Sequence, residues 1–253
     1  MNIAAKRELG QHFLVDENIL GVIGRMADLQ PADVVLEIGP GLGVLTRYLA
    51  DRVAHVHAVE LDCRLEGGLR DIPRTTLHWQ DAMALDPQDL APLPTKLVSN
   101  LPYNIATPIV VESLDRAPTV GSWCVMVQRE VADRFFAEPA TKAYGAVSVL
   151  VQLVVERTGF HAVSREVFRP RPNVESALVA FRRRAPGVPP GVKRVVEASF
   201  SHRRKTLANS LALAGVASRG HTVSALARVG RGADVRAEVL APPEFVALAA
   251  ALA

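Results

Sequence analysis

The sequence predicts an α/β fold, a mostly parallel sheet covered by helices on both faces, followed by a small all-α C-terminal domain. Three observations predict it. Short apolar runs alternate with helical-period segments from residue 34 to residue 136, the pattern of parallel strands joined by crossover helices. The runs end at conspicuous residues (Gly39, Glu60, Asp81 and Asn100), and ligands of such sheets bind just beyond the carboxyl ends of the strands. Past the turn-rich stretch Ala185-Pro186-Gly187-Val188-Pro189-Pro190-Gly191 the strand pattern stops, which places a domain boundary there: residues 1–184, then 185–253.

In order along the chain, Ile19, Leu20, Ile23, Met26 and Ala27 recur at helical spacing behind Asp16, an N-cap residue. Val34 to Gly39 is a buried strand running into glycines, and Val44 to Ala50 is a helix. His55 to Glu60 is the second strand, with a helix over 62–71; Thr76 to Gln80 is the third strand and Lys96 to Asn100 the fourth. Thr107-Pro108 is a helix start, a Thr N-cap with Pro at the first helical position. Trp123 to Val127 is a fifth strand and 128–136 a helix. The β-branched run Val147 to Glu156 is read as a strand, and Ser176 to Phe181 as the last one. Segments 195–200, 207–213, 222–229 and 244–252 are short helices of the C-terminal domain. Tyr48, Trp79 and Trp123 are assigned to the core.

The composition narrows the functional classes. No apolar run reaches the ~18 residues that span a bilayer, and residues 1–10 lack the apolar core of a signal peptide, so a soluble cytoplasmic protein is expected. Cys63 and Cys124 belong to no CxxC or Cys/His cluster, and His202 and His221 have no ligand at metal spacing; neither a metal nor a disulfide is expected. Net charge is only +3 but unevenly spread: residues 1–150 carry 13 Lys+Arg against 19 Asp+Glu (−6), residues 151–253 carry 16 against 7 (+9). A basic half points to a polyanionic partner.

Glu37-Ile38-Gly39-Pro40-Gly41-Leu42-Gly43 follows a strand and opens a helix, and glycine there lets the backbone approach a ligand closely. Glu60 ends the next strand, where a carboxylate accepts hydrogen bonds from two ribose hydroxyls. The pair indicates a nucleoside-containing cofactor, NAD(P) or S-adenosylmethionine. The G-x-G-x-G spacing departs from the dinucleotide G-x-G-x-x-G and tilts the reading towards S-adenosylmethionine. Asp81 can accept from the adenine amine of that cofactor.

Asn100-Leu101-Pro102-Tyr103 closes the fourth strand. An adenine amine is a poor nucleophile because its lone pair is delocalised into the ring. Accepting hydrogen bonds from both N–H groups, by the Asn100 side-chain oxygen and the Leu101 carbonyl, favours a pyramidal nitrogen. Pro102 stiffens the loop and Tyr103 can stack on a flipped base. No strong general base is required; positioning and electrostatics carry the step.

With these motifs in place the sequence resembles the ribosomal RNA adenine N6-methyltransferases, and within them the small-subunit rRNA adenine dimethyltransferases. The resemblance also rests on Leu9-Gly10-Gln11-His12-Phe13-Leu14, Gln80-Asp81-Ala82-Met83, Gln128-Arg129-Glu130-Val131, Lys142-Ala143-Tyr144-Gly145, the stretch from Phe168 to Ala177, and Phe200 to Leu207. It implies a Rossmann-like S-adenosylmethionine-dependent methyltransferase domain with a small helical domain behind it. It implies cofactor contacts at Gln11, His12, Leu14, Gly39, Gly41, Glu60, Leu61, Asp81, Ala82 and Asn100. It implies that Tyr103 and Phe168 sandwich the target base, and that two methyls go to each of two adjacent adenines in a hairpin loop near the 3′ end of small-subunit (16S) rRNA. The partner implied is a nearly assembled 30S-type subunit, approached by a monomer. Arg169 and Arg171 flank Phe168 and, with Arg203, Arg204 and Lys205, are candidate phosphate contacts.

Three other readings share part of this pattern. Large-subunit rRNA adenine methyltransferases of the macrolide-resistance type share the glycine turn and the Asn100–Tyr103 loop, while the 80–83 and 142–145 stretches favour the small-subunit type. A non-catalytic nucleic-acid-binding factor on the same fold would not need the intact Gly39, Glu60, Asp81 and Asn100 set. A nicotinamide oxidoreductase leaves Asn100–Tyr103 and Phe168 without a task.

Overall fold

A computed structural model describes residues 11–253 apart from positions 190 and 203. The chain divides into two compact units, residues 1–132 with 156–184, and residues 133–155 with 185–253. Residues 133–155, counted with the N-terminal domain on sequence grounds, cluster with the C-terminal stretch.

The first unit is built on a seven-stranded sheet. Its strands are β2 (Val34–Ile38), β3 (His55–Glu60), β4 (Thr75–Trp79), β5 (Lys96–Asn100), β6 (Ser122–Gln128), β7 (Val155–Val163) and β9 (Ser176–Arg183), in the order β4-β3-β2-β5-β6-β9-β7. β2 to β6 run parallel and β9 is antiparallel to β6. β2 lies inside this sheet between β3 and β5, and all five of its residues are buried, which is why it reads as a nearly unbroken apolar run. The chain leaves β2 towards β3 on one side and returns through β5 on the other, so the order reverses between β2 and β5. A cleft opens at such a reversal, beyond the strand carboxyl ends. A two-residue ladder of β1 (Phe13–Leu14) with β8 (Phe168–Arg169) lies apart from the main sheet.

The helices follow from local chemistry. α1 (Glu17–Ala27) starts where Asp16 accepts from the Asn18 N–H at 2.8 Å, and it buries Ile19, Leu20, Ile23 and Ala27. α2 (Val44–Ala50) and α3 (Glu66–Leu69) follow β2 and β3. α4 (Ala106–Arg116) corrects the predicted start: Ile105 precedes its first residue, and no side chain caps it. Thr107 and Pro108 lie inside the first turn, where a proline costs no helical hydrogen bond because those N–H groups have no partner in the helix anyway. α5 (Arg129–Phe135) follows β6 directly. Trp123 is fully buried, stacks on Phe181 with centroids 5.4 Å apart, and donates to Ser113 Oγ at 2.9 Å. Trp79 departs from the expected core placement: it ends the edge strand β4 and is 36 % exposed.

The second unit is helical, with α6 (Ala146–Val154), α7 (Val192–Phe200), α8 (Leu207–Leu213), α9 (Arg219–Arg228) and α10 (Pro242–Leu252). α6 overturns the strand reading of Val147 to Glu156. Ser148, Val149, Leu150, Val151 and Val154 are all buried, so the apolar run carries no readable period. Gly145 N–H donates to Ser148 Oγ, which itself donates to the Arg134 carbonyl. Strand β7 begins only at Val155. Tyr144, wholly buried, donates to the Leu240 carbonyl at 2.7 Å. Arg231 pairs with Glu244 through two bonds of 2.6 and 2.8 Å at the head of α10. Among the described residues no helix is long and apolar enough to cross a membrane, and no group of His, Cys, Asp and Glu could hold a metal ion.

Candidate active site

A cavity of about 240 Å³ lies over the β2/β5 reversal. Gln11, His12, Leu14, Gly39, Gly41, Glu60, Leu61, Asp81, Ala82 and Asn100, the ten residues expected to hold a cofactor, all line it, as do Leu101, Pro102 and Tyr103. Residues scattered from 11 to 103 meet there because each follows or ends a parallel strand, or belongs to the N-terminal segment before α1.

The floor is the glycine turn. Gly39 has φ +73 and a side chain on it would meet Pro102 at 3.0 Å, so this turn and the Asn100–Tyr103 loop are in contact. Gly41, at φ +57, donates its N–H to Glu60 Oε2 at 3.2 Å, and a side chain on it would strike the Phe13 ring. Glu60 ends β3 with Oε1 accepting from the Asp62 N–H at 2.9 Å. Burial raises its carboxyl pKa, opposed by these backbone donors. The Leu61 N–H is a third backbone donor to this carboxylate. Asp62 beside it is held well below the usual carboxylate range by the Arg64 guanidinium and the Gln11 amide. Asp81 is exposed and uses Oδ1 to accept from the Met83 N–H at 2.9 Å.

On the opposite wall, Asn100 donates from Nδ2 to the His12 carbonyl at 3.2 Å. Its Oδ1 is buried and has no partner. An unmet buried acceptor is costly, of order 1–3 kcal/mol, and calls for a ligand donor or a role in the chemistry. Leu101 sends its N–H to the Met126 carbonyl at 3.1 Å, which pins the loop to β6. The Tyr103 hydroxyl lies 2.5 Å from Ser176 Oγ, and its ring faces His12 at 5.4 Å.

Phe168 does not reach this cavity. It is wholly buried in the core, opposite Leu14 in the β1/β8 ladder, so the expected second stacking ring is not presented in this conformation. Arg169 and Arg171 are exposed; Arg169 donates to the Glu166 and Phe168 carbonyls, and Arg171 pairs with Glu166 at 2.8 Å. In the second unit Arg204 and Lys205 are exposed. Arg203, Leu9 and Gly10 lie outside the described residues.

Glu37 is a buried lining residue of charged type to which sequence reading assigned no contact. It is 1 % exposed, its Oε2 has no partner, and burial pushes its carboxyl up to about 8, with the Thr46 hydroxyl acting the other way and Glu60 adding to the rise. One signal was available: a lone carboxylate inside the apolar run Val34-Val35-Leu36-Glu37-Ile38.

Comparison with known proteins places the chain among RNA methyltransferases. A family model described as ribosomal RNA adenine dimethylase matches residues 2–238. A ribosomal RNA small subunit methyltransferase A of Rubrobacter xylanophilus is 46 % identical, covering 96 % of this chain and 93 % of the relative. The protein of the same description from Geobacter metallireducens is 40 % identical over 99 % and 96 %. Among solved structures, a Plasmodium falciparum dimethyladenosine transferase shares the fold with a TM-score of 0.79 at 22 % identity, covering 94 % of this chain and 96 % of that one. The 23S rRNA methyltransferase ErmE gives a TM-score of 0.67 at 30 % identity over 95 % and 99 %.

Proposed function

Because this chain belongs to the ribosomal RNA adenine dimethylase family, we propose that its cavity binds S-adenosylmethionine and serves N6 dimethylation of two adjacent adenines in a hairpin loop near the 3′ end of small-subunit (16S) rRNA. The observation that carries the reading is Asn100 Oδ1, a buried, unpartnered acceptor on a side chain of the cavity wall. An exocyclic amine is the donor that it lacks.

The cavity suits the cofactor. Glu60 lines the cavity and keeps acceptor capacity for the ribose after accepting from Gly41, Asp62 and Leu61. Asp81 retains Oδ2 for an adenine amine. Gly39 and Gly41 are required by their positive φ and by the close packing of Pro102 and the Phe13 ring, and they shape the turn that floors the cavity. S-adenosylmethionine supplies a methyl carbon already activated by its sulfonium.

The chain's own groups do the rest. In the first transfer Asn100 Oδ1 and the Leu101 carbonyl accept from the two N–H groups of the target amine and draw its lone pair out of conjugation; the monomethylated amine keeps one N–H for the second transfer, and after each transfer the nitrogen releases one proton to solvent. The bond from Asn100 Nδ2 to His12 fixes which end of the amide faces the amine. Tyr103 offers a ring face to the flipped base, whose unstacking costs a few kcal/mol. Phe168 closes on the other face only by leaving the core. The acceptors sit in a largely buried wall, where they need little reorganisation. Arg169, Arg171, Arg204 and Lys205 meet phosphates, with Arg203 assigned to the same task on sequence grounds. The partner we favour is a nearly assembled 30S-type subunit, met by a cytoplasmic monomer, with 1–184 as the catalytic domain and 185–253 as the RNA-docking domain.

Incubation with unmodified small and large subunits, followed by mass-spectrometric mapping, tests the reading. Two neighbouring dimethyladenines near the 3′ end of the small-subunit RNA are expected. Methylation confined to large subunits, or no cofactor binding by calorimetry, would overturn it.

A further inference from the structure

Ser176 opens β9, is 1 % exposed, and stands opposite Gln128 on β6. Its Oγ lies 2.5 Å from the Tyr103 hydroxyl, 73 residues away in sequence. The loop bearing Tyr103 already has other fixings: Leu101 N–H to the Met126 carbonyl, Ile105 N–H to the Pro102 carbonyl, and Pro102 close against Gly39. These hold the backbone and leave the Tyr103 side chain free to turn. That ring has two torsions. Its outer end is tied by Ser176, and one face is backed by His12, whose own ring is held through Nδ1 to the Pro170 carbonyl at 2.7 Å.

We propose that Ser176 is a positioning residue that acts through Tyr103, locking its ring in the stacking orientation before the RNA base arrives. The inference rests on the reading of Tyr103 as the stacking platform. The stake is larger because Phe168, the other expected ring, is buried in the core. A base entering the site then meets one preset ring, not two, and the order of engagement is Tyr103 first.

Two measurements test it, one of them without RNA. The phenol of Tyr103 is titrated in the free protein by carbon NMR of ζ-labelled tyrosine, assigned against Tyr103→Phe, over the pH range in which circular dichroism stays native. A hydroxyl hydrogen-bonded to the phenol favours its ionised form. Ser176→Ala is therefore expected to move the titration upward by about one pH unit, the size of an ordinary hydrogen bond, and Ser176→Thr to restore it. An unmoved titration overturns the proposal. Single-turnover methylation of unmodified small subunits is the second measurement. Tyr103→Phe and Ser176→Ala are each expected to slow it about 5- to 10-fold, the double variant no further, with cofactor affinity unchanged. Additive losses overturn the proposal, since residues acting as one unit are non-additive. If the wild type methylates no subunit, the proposed function fails, while the titration still decides the contact.

Discussion

Asn100 and His12 are joined by one hydrogen bond, side-chain Nδ2 to main-chain carbonyl at 3.2 Å, and that bond turns the amide so that Oδ1 is buried without a partner. The amide is thus oriented by the N-terminal segment and spends its acceptor on nothing in the protein. Asn100→Ala is expected to lower single-turnover methylation about 100-fold or more, the scale for losing one preorganised polar group at a reacting centre, while leaving the cofactor dissociation constant within a few-fold. Equal losses in both would mean that Asn100 only holds the cofactor.

Glu60 accepts from the backbone at Gly41, Asp62 and Leu61, so an alanine there would strand those N–H donors and confuse binding with folding. Glu60→Gln keeps one acceptor oxygen and removes the charge, and its amide NH2 faces one of the backbone N–H donors. It is expected to weaken S-adenosylmethionine binding by ~1–3 kcal/mol, the range for charge-assisted hydrogen bonds, and to lower the denaturation midpoint by the cost of one stranded donor, so binding is measured where the variant is fully folded. A dissociation constant equal to the wild-type value would remove the ribose assignment.

The parts of this architecture that were legible in the sequence are those where one local signal dominates. β2, β3 and β5 are buried parallel strands, each written as an apolar run ended by Gly39, Glu60 or Asn100, and those terminal residues line the cavity. Where tertiary burial erases periodicity, the signal is lost. α6 is apolar on nearly every side, so Val147 to Val154 carries no period that separates helix from strand. β7 fails for the opposite reason: Arg157, Thr158, Phe160 and His161 are exposed, and no alternation marks the strand. The contact of Ser176 with Tyr103 was invisible because the two are 73 residues apart, and Glu37, though marked by a lone carboxylate in an apolar strand, shows its place in the buried cavity wall only in the fold.

Glu37 links stability to pH. Its carboxyl lies at about 8 in the fold against 4.5 ordinarily, chiefly through burial. The folded state therefore keeps a proton that the unfolded state has released in this window. The stabilising contribution is complete below about pH 4.5 and is lost as pH rises through about 8. Urea denaturation between pH 5 and 8 is expected to show the parent losing stability relative to Glu37→Gln as pH increases, with about one proton fewer bound on unfolding. Parallel pH profiles for the two proteins would refute the burial of an uncompensated carboxyl.

Arg204 and Lys205 are exposed in the second unit. If they meet phosphates, each neutral replacement removes about one counterion released on binding. The double change Arg204→Ala, Lys205→Ala is expected to flatten the plot of log affinity for small subunits against log salt by roughly one to two units of slope, with S-adenosylmethionine binding untouched. An unchanged slope would place the RNA contacts elsewhere.

Phe168 offers the sharpest separation of packing from chemistry. Its ring is wholly buried among the core residues, and Phe168 stands opposite Leu14 in the β1/β8 ladder. Phe168→Ala is therefore expected to cost about 3–5 kcal/mol of stability, as truncation of a buried aromatic does. Loss of activity in that variant alone would say nothing about stacking. Phe168→Leu removes the aromatic face and keeps most of the volume, at a stability cost of about 1.5 kcal/mol or less. If the ring leaves the core to cover the flipped base, Phe168→Leu stays folded and loses about 1–3 kcal/mol of transition-state stabilisation, the value of one base–aromatic stack, read as the ratio of single-turnover rates on unmodified small subunits. A Leu variant with wild-type rates leaves Phe168 as a core residue and makes Tyr103 the sole stacking ring of the site.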